Sequence, residues 1–436
     1  MAGIAPEVYR RKMTRAYEKP LLYLVMLFQF ACMLLLAFRD GEVETFTLSM
    51  SVCLPLCTWL GLKILSRMFY ADRCIYILSA FLCSLGVILL RAVLKKETDA
   101  SEQALFLAIG YVFLLIGAFV GSRSDMNEVF LQCVMPICLG VMCLPFVFRS
   151  SSAANNWVRI GSMQFQPSEL MKPVLIVMLA KGFSDKSGWR AWLKYVVFSV
   201  LSCGILFLQP DLGSLFLFFF ITVGMFFIGT GRWKTTVFVL ALAVGGVIAF
   251  LSVLDKVPAF EYLASRIAIW KNPWSGEYEN ARQIVQGLIS IASGGYFGAG
   301  LGLGSADRVA VVSSDYIFAA LAEEFGTPFS IIVLGIYLLI LLRGSMIAMN
   351  ARNRYHALLS FGCVFALTGQ MLLIVCGNLH ILPLTGVTLP FVSAGGSSIL
   401  ASMTMIGLVL GVSSVNAEDE YDDLMRISDG KWREEE

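Results

Sequence analysis

Long apolar runs recur from one end of this chain to the other, and they limit what it can fold into. They fall near residues 20–38, 47–65, 74–94, 104–120, 127–148, 168–183, 194–208, 214–230, 235–254, 315–342, 356–376 and 395–412. An apolar run of about 20 residues crosses the hydrocarbon core as one helix, and backbone in lipid must satisfy its hydrogen bonds internally. The expected class is therefore all-α: a polytopic integral membrane protein with about 12 transmembrane helices. Only 15% of residues are charged and 58% are hydrophobic, far from soluble-domain usage. A net charge of +2 gives no electrostatic footprint for a nucleic-acid partner.

Orientation follows Lys and Arg. Arg10, Arg11, Lys12, Arg15 and Lys19 place the N-terminus in the cytoplasm. Clusters at Arg67 and Arg73, Arg123, Lys181–Lys194, Arg232 and Lys234, and Arg343–Arg354 return to that side. Arg91, Lys95 and Lys96 run against the trend. The expected division is a cytoplasmic tail at 1–19, a membrane domain at 20–412 with a large extracellular loop at 255–314, and a cytoplasmic tail at 413–436. That last tail is short and charged, which predicts disorder. The first apolar run is full length and lacks a small-x-small cleavage site, so it reads as a retained helix. The cysteines lie almost entirely within apolar runs without metal spacing and read as packing residues.

Four outer segments hold the unusual sequence: Arg149–Lys172, Gln209–Gly213, Asp255–Ser314 and Gly377–Ser398. Glu169 and Lys172 are three apart and share one helical face. They fit either a capped helix start or a fixed cation aimed at an anionic headgroup. Asp211 fits a turn that caps the next helix. The run GGYFGAGLGLG, Gly294–Gly304, offers backbone N–H groups to phosphate but lacks the Lys of a phosphate-binding loop. It also fits an interfacial loop.

The stretch Asp307–Gly326 carries the sharpest signal. Asp315 stands where the long loop meets a new apolar run, with Glu323 and Glu324 a few turns deeper. A carboxylate there is costly unless it has chemistry to do or a cation beside it. Asp315 fits a helix N-cap or a general base for a sugar hydroxyl. Glu323 and Glu324 fit catalysis or an interhelical polar contact.

These segments resemble the SEDS family of cell-wall polymerases (RodA/FtsW/SpoVE-like). The resemblance rests on Trp157 with Gly161, Gln166–Glu169 with Lys172, Gln209–Gly213, Arg266, Gln283, Gly294–Gly304, Asp315–Gly326 and Pro383–Ser398, in order over about residues 150–412. The chain departs from the family pattern at Asn156, Ser313–Ser314, Ala394 and Ile374. The resemblance implies a peptidoglycan glycosyltransferase of the bacterial cytoplasmic membrane that polymerises lipid II, with Asp315 catalytic. It implies substrate contacts at Trp157, Arg159, Glu169, Lys172, Arg266, Gln283, Asp307, Arg308, Glu324 and Ser397. It also implies a class B penicillin-binding protein as partner, among other elongation or division proteins. A family core of about ten helices would leave the first two as an N-terminal addition. Charge building on a leaving pyrophosphate calls for cations, with Arg159, Lys172, Arg266 and Arg308 as candidates and a Mg²⁺ or Mn²⁺ ion as a further expectation. A lipid-linked precursor flippase or transporter is the alternative, and a catalytically silent scaffold is the third reading.

Overall fold

The structure is a computed structural model. It describes residues 6–434 apart from 40, 42, 95–96, 124–127, 149–155, 161–162, 186–187, 254–260 and 275–278. Asp40, Glu42, Lys95, Lys96 and Gly161 therefore lie outside the described residues, as do parts of the long loop.

Each of the twelve apolar runs falls on a helix. In chain order these are α1 (Pro6–Ala37), α2 (Thr45–Met68), α3 (Arg73–Val93), α4 (Glu97–Gly121), α5 (Glu128–Val147), α6 (Pro167–Ser184), α7 (Trp189–Leu208), α8 (Leu212–Thr230) and α9 (Trp233–Val253). Two shorter helices, α10 (Glu261–Lys271) and α11 (Glu279–Gly294), precede α12 (Ile317–Met349), α13 (Arg354–Asn378) and α14 (Gly396–Glu434). Among the described residues ten helices are long and apolar enough to cross a membrane. The exceptions among the twelve are α6, which carries Glu169, Lys172 and Lys181, and α9, whose apolar stretch is shorter. The chain is an all-α, multi-pass membrane protein.

Three features differ from the sequence expectation. A two-stranded hairpin, β1 (Val158–Ile160) with β2 (Met163–Phe165), sits just before α6, pairing Arg159 with Gln164. The 255–314 segment is built from α10, α11 and a short 3₁₀ turn at Ala306–Arg308 rather than one continuous loop. The C-terminal tail is helical, because α14 continues through it. Its extension is tied down where Asn416 donates to the Ile347 carbonyl and Arg352 pairs with Asp419 and Asp423. Charge that favours disorder in isolation is here met by an opposite charge on the α12–α13 turn.

The core is a belt around α3, α13 and α14, most of whose apolar side chains are fully buried. Lipid supplies no hydrophobic drive between helices, so close packing decides association. α4 and α14 meet through two glycine pairs one turn apart, Gly117–Gly121 and Gly407–Gly411, and a Cβ on Gly117 would sit 3.1 Å from the Cα of Gly407. Cross-links between connections show that the outer segments share one face. Arg39 donates to the Ala92 carbonyl (2.9 Å), Asn156 to Asp211 (2.9 Å), Gln103 to the Ser393 carbonyl (3.0 Å) and Trp270 to the His380 carbonyl (3.3 Å).

Candidate active site

Between α13 and α14 the chain runs without helix from Leu379 to Gly395 and forms the wall on which the other outer elements converge. Non-helical backbone at this depth needs polar partners, and it has them. Gln370 of α13 donates to the Thr388 carbonyl (2.8 Å), and the Thr388 and Ser398 hydroxyls share a hydrogen bond (2.7 Å). The Ser393 hydroxyl donates to the Ser314 carbonyl (2.6 Å), and the Ala394 N–H to the Ser313 carbonyl (2.8 Å). The wall thus grips the residues immediately before Asp315.

Asp315 is half-buried at the head of α12. Its N–H and that of Ser314 both donate to the Val311 carbonyl, at 3.1 and 3.2 Å. Val311 has φ 51°, a left-handed conformation costly for a β-branched residue, so the turn stores strain beside the carboxylate. From below, the Asn378 amide donates to the Asp315 carbonyl (2.7 Å) and accepts from the Ala319 N–H (3.3 Å). Gly386, at φ +71°, leaves the carboxylate room; a Cβ there would lie 3.7 Å from Asp315 Oδ2. Burial raises the Asp315 pKa, while the Ser314 hydroxyl and the positive charge of Arg266 pull it back. Arg266 of α10 is fixed by donating to the Leu384 carbonyl of the wall (3.3 Å). One ionisable carboxylate and a serine hydroxyl therefore sit here within electrostatic reach of one guanidinium.

Three neighbouring carboxylates are spent on internal partners. Asp211 caps α8 through the Ser214 N–H (3.0 Å) and accepts from Asn156 (2.9 Å) and Gln166 (3.0 Å), so the cap reading holds and gains two donors. Glu323 accepts from the Ser305 N–H (2.8 Å) and hydroxyl (3.1 Å), and Glu324 from the Gly302 N–H. The glycine run wraps these two side chains. Its Ala299 and Gly300 N–H groups donate to the Glu323 and Glu324 carbonyls, at 2.7 and 3.2 Å. Its backbone donors hold protein carboxylate and carbonyl oxygens instead of a phosphate. Gly326 breaks α12 at φ 82°, and a Cβ there would overlap the Tyr296 carbonyl. Glu324, expected on the substrate, is placed as one jaw of this clamp.

Glu169 and Lys172 form an ion pair (2.6 Å), with Lys172 also donating to Gln370 (2.6 Å). They are 3% and 0% exposed, so Lys172 is a buried, paired charge rather than a cation open to a headgroup. Ser397 is buried with its hydroxyl against the Gln166 N–H (3.4 Å). Trp157 is half-buried beside the hairpin, and Arg159 is exposed on it. Gln283 lies half-buried one turn before Gly287, the glycine against which the Tyr316 ring packs, so it lies on the α11 face turned to the Asp315 segment. Asp307 and Arg308 are exposed in the 3₁₀ turn. The structure fixes Arg266 on the wall within electrostatic reach of Asp315, and puts Glu169, Lys172 and Ser397 in the packing behind the wall.

Sequence reasoning missed Asn378, Gln370, Thr388 and Ser393. An amide in an apolar helix was a usable signal for the first two, since a buried polar group must find a partner. Among the described residues no three His, Cys, Asp or Glu side chains cluster as a metal site. Asp315 offers a single carboxylate next to a guanidinium.

Comparison with known proteins agrees with this geometry. The FtsW/RodA/SpoVE family model, described as cell cycle protein, matches residues 69–418. The chain is 28% identical over 339 residues to the peptidoglycan glycosyltransferase RodA of Mycobacterium tuberculosis, covering 73% of this chain and 71% of that one. It is 30% identical over 346 residues to a probable peptidoglycan glycosyltransferase FtsW of Synechocystis, covering 77% and 86%. A chain solved in a peptidoglycan synthase complex that coordinates polymerization and crosslinking superposes with TM-score 0.63 at 24% identity, covering 80% of this chain and 98% of that one. Motif order, fold and family match agree from α3 into α14, and the chain belongs to the FtsW/RodA/SpoVE family.

Proposed function

We propose that this chain is a peptidoglycan glycosyltransferase that polymerises lipid II at the outer face of the bacterial cytoplasmic membrane. The observation that carries the reading is Asp315. It stays half-open at the head of α12, where the wall holds Ser313 and Ser314 just before it, while Asp211, Glu323 and Glu324 are committed to internal hydrogen bonds.

The polyprenyl chain of the donor lies in lipid and its diphosphate sits at the outer boundary. The acceptor's 4-hydroxyl approaches Asp315, whose carboxylate takes the proton as the oxygen attacks the donor's anomeric carbon. The bond from that carbon to the diphosphate oxygen breaks, and the lipid diphosphate leaves with the electron pair. Negative charge grows on the leaving group, and Arg266, already fixed to the wall, is the cation beside the reacting carboxylate. Arg159 and Arg308, both exposed, are available to a diphosphate arriving from the membrane surface. A Mg²⁺ or Mn²⁺ ion held on the diphosphate oxygens would add to that neutralisation.

The transpeptidase would come from a class B penicillin-binding protein, with other elongation or division proteins around the pair. Support comes from the relative solved in a polymerization–crosslinking complex. A flippase is less well supported, because the buried charges Glu169 and Lys172 neutralise each other instead of lining a polar path.

The test is reconstitution of the chain with its transpeptidase-inactive partner in vesicles carrying lipid II in the outer leaflet. Glycan polymer released there supports the enzyme. Leaflet exchange of lipid II without polymer supports the flippase.

A further inference from the structure

The first two helices stand outside the family match, which begins at residue 69. The synthase-complex neighbour is matched over 98% of its length by 80% of this chain, so part of this chain lies beyond the fold the two share. Yet α1 does not pack as a peripheral anchor. It reaches the clamp behind Asp315 at two points.

Within the membrane, Phe28 stacks on Phe329 of α12 (5.9 Å between centroids, 18°) and tilts against Phe325 (6.2 Å) and Phe81 of α3 (5.3 Å). Phe325 and Phe329 stack on each other (4.5 Å) and flank Gly326, the residue where α12 breaks. At the outer end, Arg39 lies against Gly302. A Cβ on that glycine would be 2.8 Å from Arg39 Cδ and 3.1 Å from a Leu36 methyl. Gly302 is the residue whose N–H holds Glu324, and the Arg39 charge acts on the same carboxylate. Arg39 is itself fixed to the α3 terminus through the Ala92 carbonyl (2.9 Å). The turn that follows is fastened by Glu44, paired with the buried Arg91 of α3. Gln29 and Thr58 join α1 to α2 by a buried hydrogen bond (3.0 Å).

We propose that the N-terminal helix pair is a strap that holds the glycine loop and the broken α12 in register, with Arg39 and Phe28 as positioning residues for Asp315. The strap acts through Glu324 and the Gly326 break. The catalytic part of this proposal rests on the glycosyltransferase reading, whereas its mechanical part does not.

The experiment compares parent, Arg39→Ala, Arg39→Lys and Phe28→Ala, each in full-length chain with the partner present. Backbone hydrogen exchange over residues 298–305 and 317–326 is read beside lipid II polymerisation. The strap predicts exchange about tenfold faster in Arg39→Ala, the factor expected from losing a charge-assisted contact. It predicts a kcat lowered by a similar factor with KM unchanged, and recovery of both in Arg39→Lys. Phe28→Ala should loosen residues 317–326 more than 298–305. Unchanged exchange in both alanine variants overturns the proposal whatever the activity does. Faster exchange at parental kcat overturns the positioning role. A parent with no polymerase activity overturns the glycosyltransferase reading, while the exchange result still decides the strap.

Discussion

Replacing Lys172 with methionine separates a buried structural charge from a substrate contact. Lys172 is 0% exposed, donates to Gln370 (2.6 Å) and pairs with Glu169 (2.6 Å), itself 3% exposed. Lys172→Met strands Glu169 as a buried, unpaired carboxylate, and breaking such a pair from one side costs about 3–5 kcal/mol. It also leaves the Gln370 carbonyl oxygen without its donor, at about 1–3 kcal/mol. Replacing both partners, Glu169→Gln with Lys172→Met, removes the stranded charge, so most of the loss should return. Unfolding in detergent gives the stabilities, and lipid II polymerisation gives the function. The structural role predicts a crippled single variant and a double variant that regains both stability and turnover. A double variant that is stable yet inactive would refute the reasoning and return Lys172 to the substrate.

Other outcomes follow from Asp315 and its supports. Burial raises its pKa, so the acid limb of the pH–rate profile should lie above the ordinary 3.8, and Arg266→Gln should move that limb to higher pH. Because the folded-state pKa is raised, the folded protein binds the proton more tightly than the unfolded chain. Stability is therefore lost as pH rises through that window, and Asp315→Asn should unfold at a higher temperature than the parent at neutral pH. Gly326→Ala forces a side chain into φ 82° and against the Tyr296 carbonyl, and should cost at least about 1–3 kcal/mol by thermal unfolding. Asn378→Leu removes the donor to the Asp315 carbonyl; kcat should fall by about tenfold to a hundredfold with little change in KM.

Much of the fold was legible because membrane helices announce themselves by length and apolarity. The runs at 74–94 and 356–376 agree with α3 and α13 to within a few residues. The tail after residue 412 was misread because its acidic residues look unsupported until Arg352 is brought beside Asp419 and Asp423. Asp315 stood out as a carboxylate at the mouth of an apolar helix, and the structure keeps it partly open there. The partners of Glu324 were not legible. Sequence shows an acid in a helix and a distant glycine run, and only the folded chain shows that one wraps the other. Asn378 was hidden for the same reason, since a local pattern does not reveal which carbonyl, 63 residues away in sequence, an amide will reach.

The central claim is that Asp315 is the base for glycosyl transfer. The most direct measurement is glycan formation from lipid II by the purified chain with its partner's transpeptidase site disabled, comparing parent with Asp315→Asn at matched folding. The account predicts long glycan from the parent and a rate at least about 10²-fold lower from the variant. Equal product from the two would contradict it.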